Sequence, residues 1–164
     1  MQPTATSSRA LFVSVGLMAA IIVAASAVAC DDTTAPGPPT FVASLNGASE
    51  VPPKAVAGTG TATIVKNGTT YTYTITYSGM SGPLNGAHIH GPATATTNAV
   101  VIVPFDVTGA GPAGTLTGTF SSTNNAAISN DSLDVLMRTG GAYVNLHTVA
   151  NLGGEIRGQL SRQQ

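Results

Sequence analysis

The sequence has one cysteine and no tryptophan, and its six Lys and Arg residues against seven Asp and Glu leave a net charge of −1. A lone cysteine cannot close an internal disulfide, so no covalent staple holds the fold. Beyond Arg9 the basic residues are Lys54, Lys66, Arg138, Arg157 and Arg162, scattered singly. There is no basic stripe and no interleaving of basic with aromatic residues, which excludes nucleic acid as a partner. Catalytic devices are also lacking. No serine sits in a Gly-x-Ser-x-Gly elbow. The glycine clusters Gly109–Gly114 and Gly140–Gly141 have no phosphate-loop lysine. The acids Glu50, Asp106, Asp131, Asp134 and Glu155 lie in unrelated contexts, not as a paired acid and base. The chain does not read as an enzyme.

What is abundant is threonine, serine, asparagine and glycine, the composition of a β-rich exported domain with turns between its strands. Thr70 to Tyr77 alternates strictly, threonine on one face and large apolar residues on the other,. Thr61 to Lys66 reads as the preceding strand, and Asn67-Gly68 between them predicts a type I′ hairpin turn. Further strands are expected at Phe41–Leu45, Ala87–His90, Val100–Phe105, Thr115–Ser121, Tyr143–Thr148 and Glu155–Leu160. Asn130 to Arg138 breaks the pattern. It has N-cap residues, an acid in its first turn, Arg138 in its last and glycines just beyond, and predicts a short helix near 131–138. The expected fold is all-β, an antiparallel Greek-key sandwich or flattened barrel of about eight strands with that one helix.

The N-terminus reads as a targeting segment. Arg9 is the only charge before Asp31, Ala10 to Val28 is apolar or small throughout, and Ala27-Val28-Ala29 ends the run at Cys30,. Ala-x-Ala-Cys at that point is the pattern of a bacterial lipoprotein signal. Residues 1–29 are thus expected to be a cleaved leader, with Cys30 the acylated first residue. Residues 30–39 form a flexible proline-rich tether, and 40–162 the β domain. Acylation would make the membrane a partner and place the protein in the cell envelope, facing outside the cytoplasm. Ordinary cleavage would give a secreted protein, and an uncleaved segment of about 20 residues could span a bilayer.

All three histidines fall in two distant segments, Gly86 to Pro92 and Tyr143 to Thr148. Strand parity puts His88 and His90 on one face, with Ala87 and Ile89 on the other. His147 likewise shares a face with Tyr143 and Asn145, opposite Val144 and Leu146. Each segment reads as a strand with an oily inner side and an outer side carrying imidazoles. His-x-His on one strand can chelate one ion, and a third histidine from a neighbouring strand would complete a three-ligand site of the kind that holds copper or zinc. The same groups could instead form a polar network in which Asn145, Glu155 and Arg157 join the histidines, with Glu155 and Arg157 as an exposed ion pair. A pocket for an organic ligand is the third use of such a face.

Ala87-His88-Ile89-His90-Gly91-Pro92, then Val144 to Thr148 and Gly154-Glu155-Ile156-Arg157-Gly158-Gln159-Leu160, resemble the chordin-type domain, CHRD. The opening Phe41 to Pro53, with Glu50-Val51-Pro52-Pro53, fits it too, so the resemblance spans roughly Thr40 to Leu160. It implies a secreted or surface-attached β domain and no known reaction. Gly86 to His90 alone is also similar to the copper-ligand strand of copper/zinc superoxide dismutase. That enzyme needs more histidines than three, a zinc-binding aspartate and an internal disulfide, so the likeness does not carry its activity here. The expected function is a surface-anchored, non-enzymatic binding or structural module with an envelope or extracellular protein as partner. The alternative is an extracytoplasmic metal-binding protein using His88, His90 and His147.

Overall fold

The computed structural model describes residues 37–121 and 128–164. The expected leader, Cys30 and residues 30–36 of the tether lie outside the described residues. Among the described residues, no helix is long and apolar enough to cross a membrane.

The strands are β1 (Thr40–Asn46), β2 (Thr59–Asn67), β3 (Thr70–Ser78), β4 (Leu84–His90), β5 (Val101–Pro104), β6 (Gly114–Phe120), β7 (Tyr143–Thr148), β8 (Asn151–Gln159) and β9 (Ser161–Arg162). Among the described residues, one helix, α1 (Asn130–Thr139), lies between β6 and β7, and a single 3-10 turn (Gly47–Ser49) follows β1. Eight strands form one antiparallel sheet in the order β5-β4-β7-β8-β1-β2-β3-β6, with β9 added beside β1. The sheet curls into a nearly closed barrel. Phe105, just past β5 at one edge, packs on Tyr73 of β3 at 4.4 Å between ring centroids and on Phe120 of β6 at 6.0 Å.

Alternation explains the inside. In β3, Tyr71, Tyr73, Ile75 and Tyr77 are buried while every intervening residue is exposed. They meet Phe41, Leu45 and Ile64 of β1 and β2, Ile89 of β4, and Val144, Leu146 and Ile156 of β7 and β8. Each large apolar side chain so buried contributes about 1.5–3 kcal/mol relative to exposure. Ile89 and Leu146 are fully buried, as their parity requires.

The helix follows from its ends. The Ser129 hydroxyl accepts from Ser132 N, Asp131 and Arg138 complement the helix dipole, and Gly140 in the left-handed region ends it,. Leu133 and Met137, one turn apart, enter the core. Asp134 pairs with Lys66 at 3.5 Å and Arg138 at 3.1 Å, tying the helix to β2.

Some boundaries differ from expectation. β4 and β8 begin several residues earlier than their most apolar stretches, because pairing with β7 continues beyond them. The β2–β3 turn is not type I′. Asn67 pairs with Thr70, so the loop is Gly68–Thr69, and Gly68 alone has a positive φ, +63°. Glycine at the first central position makes the turn type II′, which needs no left-handed asparagine.

Candidate functional site

The site lies on the outer face of the β4–β7–β8 part of the sheet. Cross-strand register sets three rows: Gly86 with His147; His88 with Asn145 and Arg157; His90 with Tyr143 and Gln159. His147 thus stands opposite a glycine. A Cβ on Gly86 would lie 2.9 Å from His88 Cε1 and 3.6 Å from His147 Cδ2. The missing side chain is the space in which the two imidazoles meet. Ring centroids are 4.9 Å apart for His88 and His147, 5.5 Å for His88 and His90, and 5.8 Å for His90 and His147. One ring nitrogen from each lies within 4.8 Å of the other two.

This face points away from the core, but it is not wet. All six residues of β7 are buried, and His90 and His147 are each 8% exposed. Loop residues after β4 and before β5 cover the face: Ala99 O bonds His90 Nδ1 at 2.9 Å, and Thr94 O bonds Arg157. Leu152 O, on the other side, bonds His147 Nδ1 at 3.0 Å. The imidazoles lie on the face turned away from the core, as expected, but His90 and His147 are covered there and His88 is half-buried.

Those two carbonyls decide the tautomers. A carbonyl only accepts, so Nδ1 of both rings carries the proton and Nε2 carries the lone pair. His90 Nε2 and His147 Nε2 are buried without a hydrogen-bond partner, as is His88 Nδ1. A buried acceptor without a donor costs about 1–3 kcal/mol, a cost that coordination of an ion would relieve. Imidazoles that donate Nδ1–H to a backbone carbonyl and leave Nε2 free are the usual arrangement of metal-ligating histidine. Burial, then the neighbouring His147 and His90, pushes His88 down to about 4. Burial also lowers His90 and His147 against the opposing pull of their carbonyls. All three are therefore neutral at pH 7, the form that binds metal. An ion about 2.0–2.1 Å from three nitrogens sets them about 3.4 Å apart, a modest closure of the rings from their present spacing.

Around the triad the polar residues fall into separate groups. The Tyr143 ring lies between His90, parallel at 5.0 Å, and the Arg157 guanidinium, 3.4 Å from its centroid. Arg157 is 1% exposed and donates to Asn98 Oδ1, Thr94 O and Gln159 Oε1. Glu155 is fully buried and accepts from Ser81, Thr148 and Asn151. Burial opposes its charge, but those hydrogen bonds outweigh burial and hold the carboxyl below its ordinary value. The exposed Glu155–Arg157 ion pair expected from spacing is not made. Both side chains are buried and bond elsewhere, because loops cover the face on which they were read as solvated. Glu50 is buried beside Arg157 and Lys54, and burial pushes it up to about 7 against their pull. With Ser49, Thr96, Arg157 and Gln159 it lines a cleft of about 440 Å³. Asn145 is buried with its Oδ1 unpartnered.

Sequence reasoning did not single out Tyr143, Lys54, Glu50 or the Ala99 and Leu152 carbonyls as parts of the site. Parity already put Tyr143 beside His147. The carbonyls have no side-chain signature, so no residue pattern could have found them. A family model described as the CHRD domain matches residues 41–160. No curated protein matches the chain.

Proposed function

The chain belongs to the CHRD domain family, and from that premise we propose a non-enzymatic binding module, exported and lipid-tethered through Cys30, whose ligand is a transition-metal ion held by His88, His90 and His147. One observation carries the metal reading. Three imidazoles from two strands converge, two of them locked by Ala99 and Leu152 so that unpartnered Nε2 atoms remain. The lone pairs on those buried nitrogens are what a coordinated ion would engage,. The sequence supports the tether, with an apolar leader, small residues before a single cysteine and a proline-rich stretch before β1,. Several acyl chains, at about 0.8 kcal/mol per buried CH₂, would hold such a domain at a membrane surface. As a module it would sequester, buffer or present its ion to a partner in the envelope.

Elemental analysis of protein equilibrated with metal tests the site. One equivalent of copper or zinc is expected, falling to near zero in His88→Ala/His90→Ala. Equal stoichiometry in the two proteins removes the reading. Mass spectrometry of the mature N-terminus tests the tether, and an unmodified Cys30 removes it.

A further inference from the structure

We propose that the triad is a site for monovalent copper, Cu(I), in preference to a dication, and that Arg157 and Lys54 set this preference. The inference rests on the metal reading above and names its ion. The donors come first. Among the described residues the cluster contains three histidines and no carboxylate or thiolate. Three neutral nitrogens suffice for three-coordinate Cu(I), whereas Zn(II) needs a fourth donor, a water in a three-histidine site, and that water must share the enclosed face.

The surrounding charges point the same way. Arg157 stands behind Tyr143 on the side of His90, its guanidinium held by Asn98, Thr94 and Gln159. Lys54 Nζ donates to Asn151 Oδ1 at 3.0 Å, and Asn151 pairs with Thr148, the neighbour of His147. Arg157 is one ring away from His90 through Tyr143, and Lys54 is held beside the strand end that carries His147, so each cation opposes the entry of positive charge at the triad,. The neighbouring acids offset this only in part. Glu50, which both cations attract, has a carboxyl whose ionisation burial resists. Glu155 is committed to Ser81, Thr148 and Asn151. A dication carries one more unit of charge into this field than Cu(I) does. For any two unit charges about 10 Å apart at an effective dielectric of about 20, one extra unit of charge changes affinity by on the order of ten-fold.

The test measures both affinities on the full chain at one pH and low salt. Cu(I) is titrated anaerobically against a chromophoric Cu(I) chelator, and Zn(II) against a fluorescent zinc chelator. Wild type is expected to bind Cu(I) at one equivalent and more tightly than Zn(II). Lys54→Gln should shift the ratio of the two constants toward Zn(II) by about three- to ten-fold, and Lys54→Glu by about as much again. Arg157→Gln should shift it the same way; if that variant does not fold, the Lys54 pair, on a partly exposed side chain, decides alone. Tighter Zn(II) than Cu(I) in wild type, or a ratio unmoved across the Lys54 pair, overturns the inference. Failure to bind either ion removes the metal reading itself, a separate result.

Discussion

Strands β2, β3 and β6 and strands β4, β7 and β8 share one design on the inside and differ completely on the outside. Across the first set the outer face is a ladder of threonines. Thr61 and Thr63 face Thr76 and Thr74, which face Thr115 and Thr117 in turn. The β3 threonines are all exposed. Across the second set the outer face is His88, Asn145 and Arg157 in one row and His90, Tyr143 and Gln159 in the next, and loops enclose it. A threonine on a wet face satisfies its hydroxyl with water and tolerates exchange. A buried imidazole, amide or guanidinium must find a partner in the protein or leave a standing cost. The second face is accordingly the one where side-chain orientation is over-determined, and it holds the unpartnered nitrogens.

The largest expected effect would break that comparison if it failed. Tyr143→Ala removes the ring between His90 and Arg157 and should destabilise the protein by about 3–5 kcal/mol in urea unfolding. A loss similar to that of an outer-face threonine would mean the covered face contributes little packing.

Next comes acid sensitivity, confined to the covered face. The histidines have folded pKa values below the unfolded 6.5, His88 about 4. Between those values the unfolded chain binds more protons, so the metal-free protein should lose stability as pH falls from 6.5 toward 4. Bound metal should move that loss to lower pH. Glu50 acts in the opposite sense. With a folded pKa of about 7 against 4.5, it removes stability as pH rises through that window. Glu50→Gln should therefore stabilise the protein at pH 8, on the order of 1 kcal/mol, and leave it nearly unchanged at pH 4. Thermal unfolding at the two pH values reads this, and equal shifts at both would contradict it.

Two smaller effects sharpen the contrast from the threonine side. Gly68→Ala forces a side chain into the φ of +63° at the β2–β3 turn and should cost about 1 kcal/mol. Thr74→Ala, in the middle of the exposed ladder, should stay within about 0.5 kcal/mol of wild type by chemical denaturation. A Thr74 effect near that of Tyr143 would show that the exposed ladder contributes as much as the covered face and would remove the contrast.

Much of this molecule follows from local pattern. Period-two alternation in Thr70–Tyr77, the glycine-bounded apolar runs and the capped segment 130–138 suffice for an all-β fold with one helix, because they report which face of each element is oily. Parity alone puts His88 with His90, and His147 with Tyr143 and Asn145. The order of strands does not follow from pattern, since antiparallel pairing of β4 with β7 joins residues more than fifty positions apart and depends on how the whole sheet curls. That pairing sets His147 opposite Gly86 and makes three histidines one site. Whether a polar face meets water or a loop is equally non-local. The carbonyls of Ala99 and Leu152, which fix the tautomers, belong to backbone that every residue has, so only the tertiary fold could aim them.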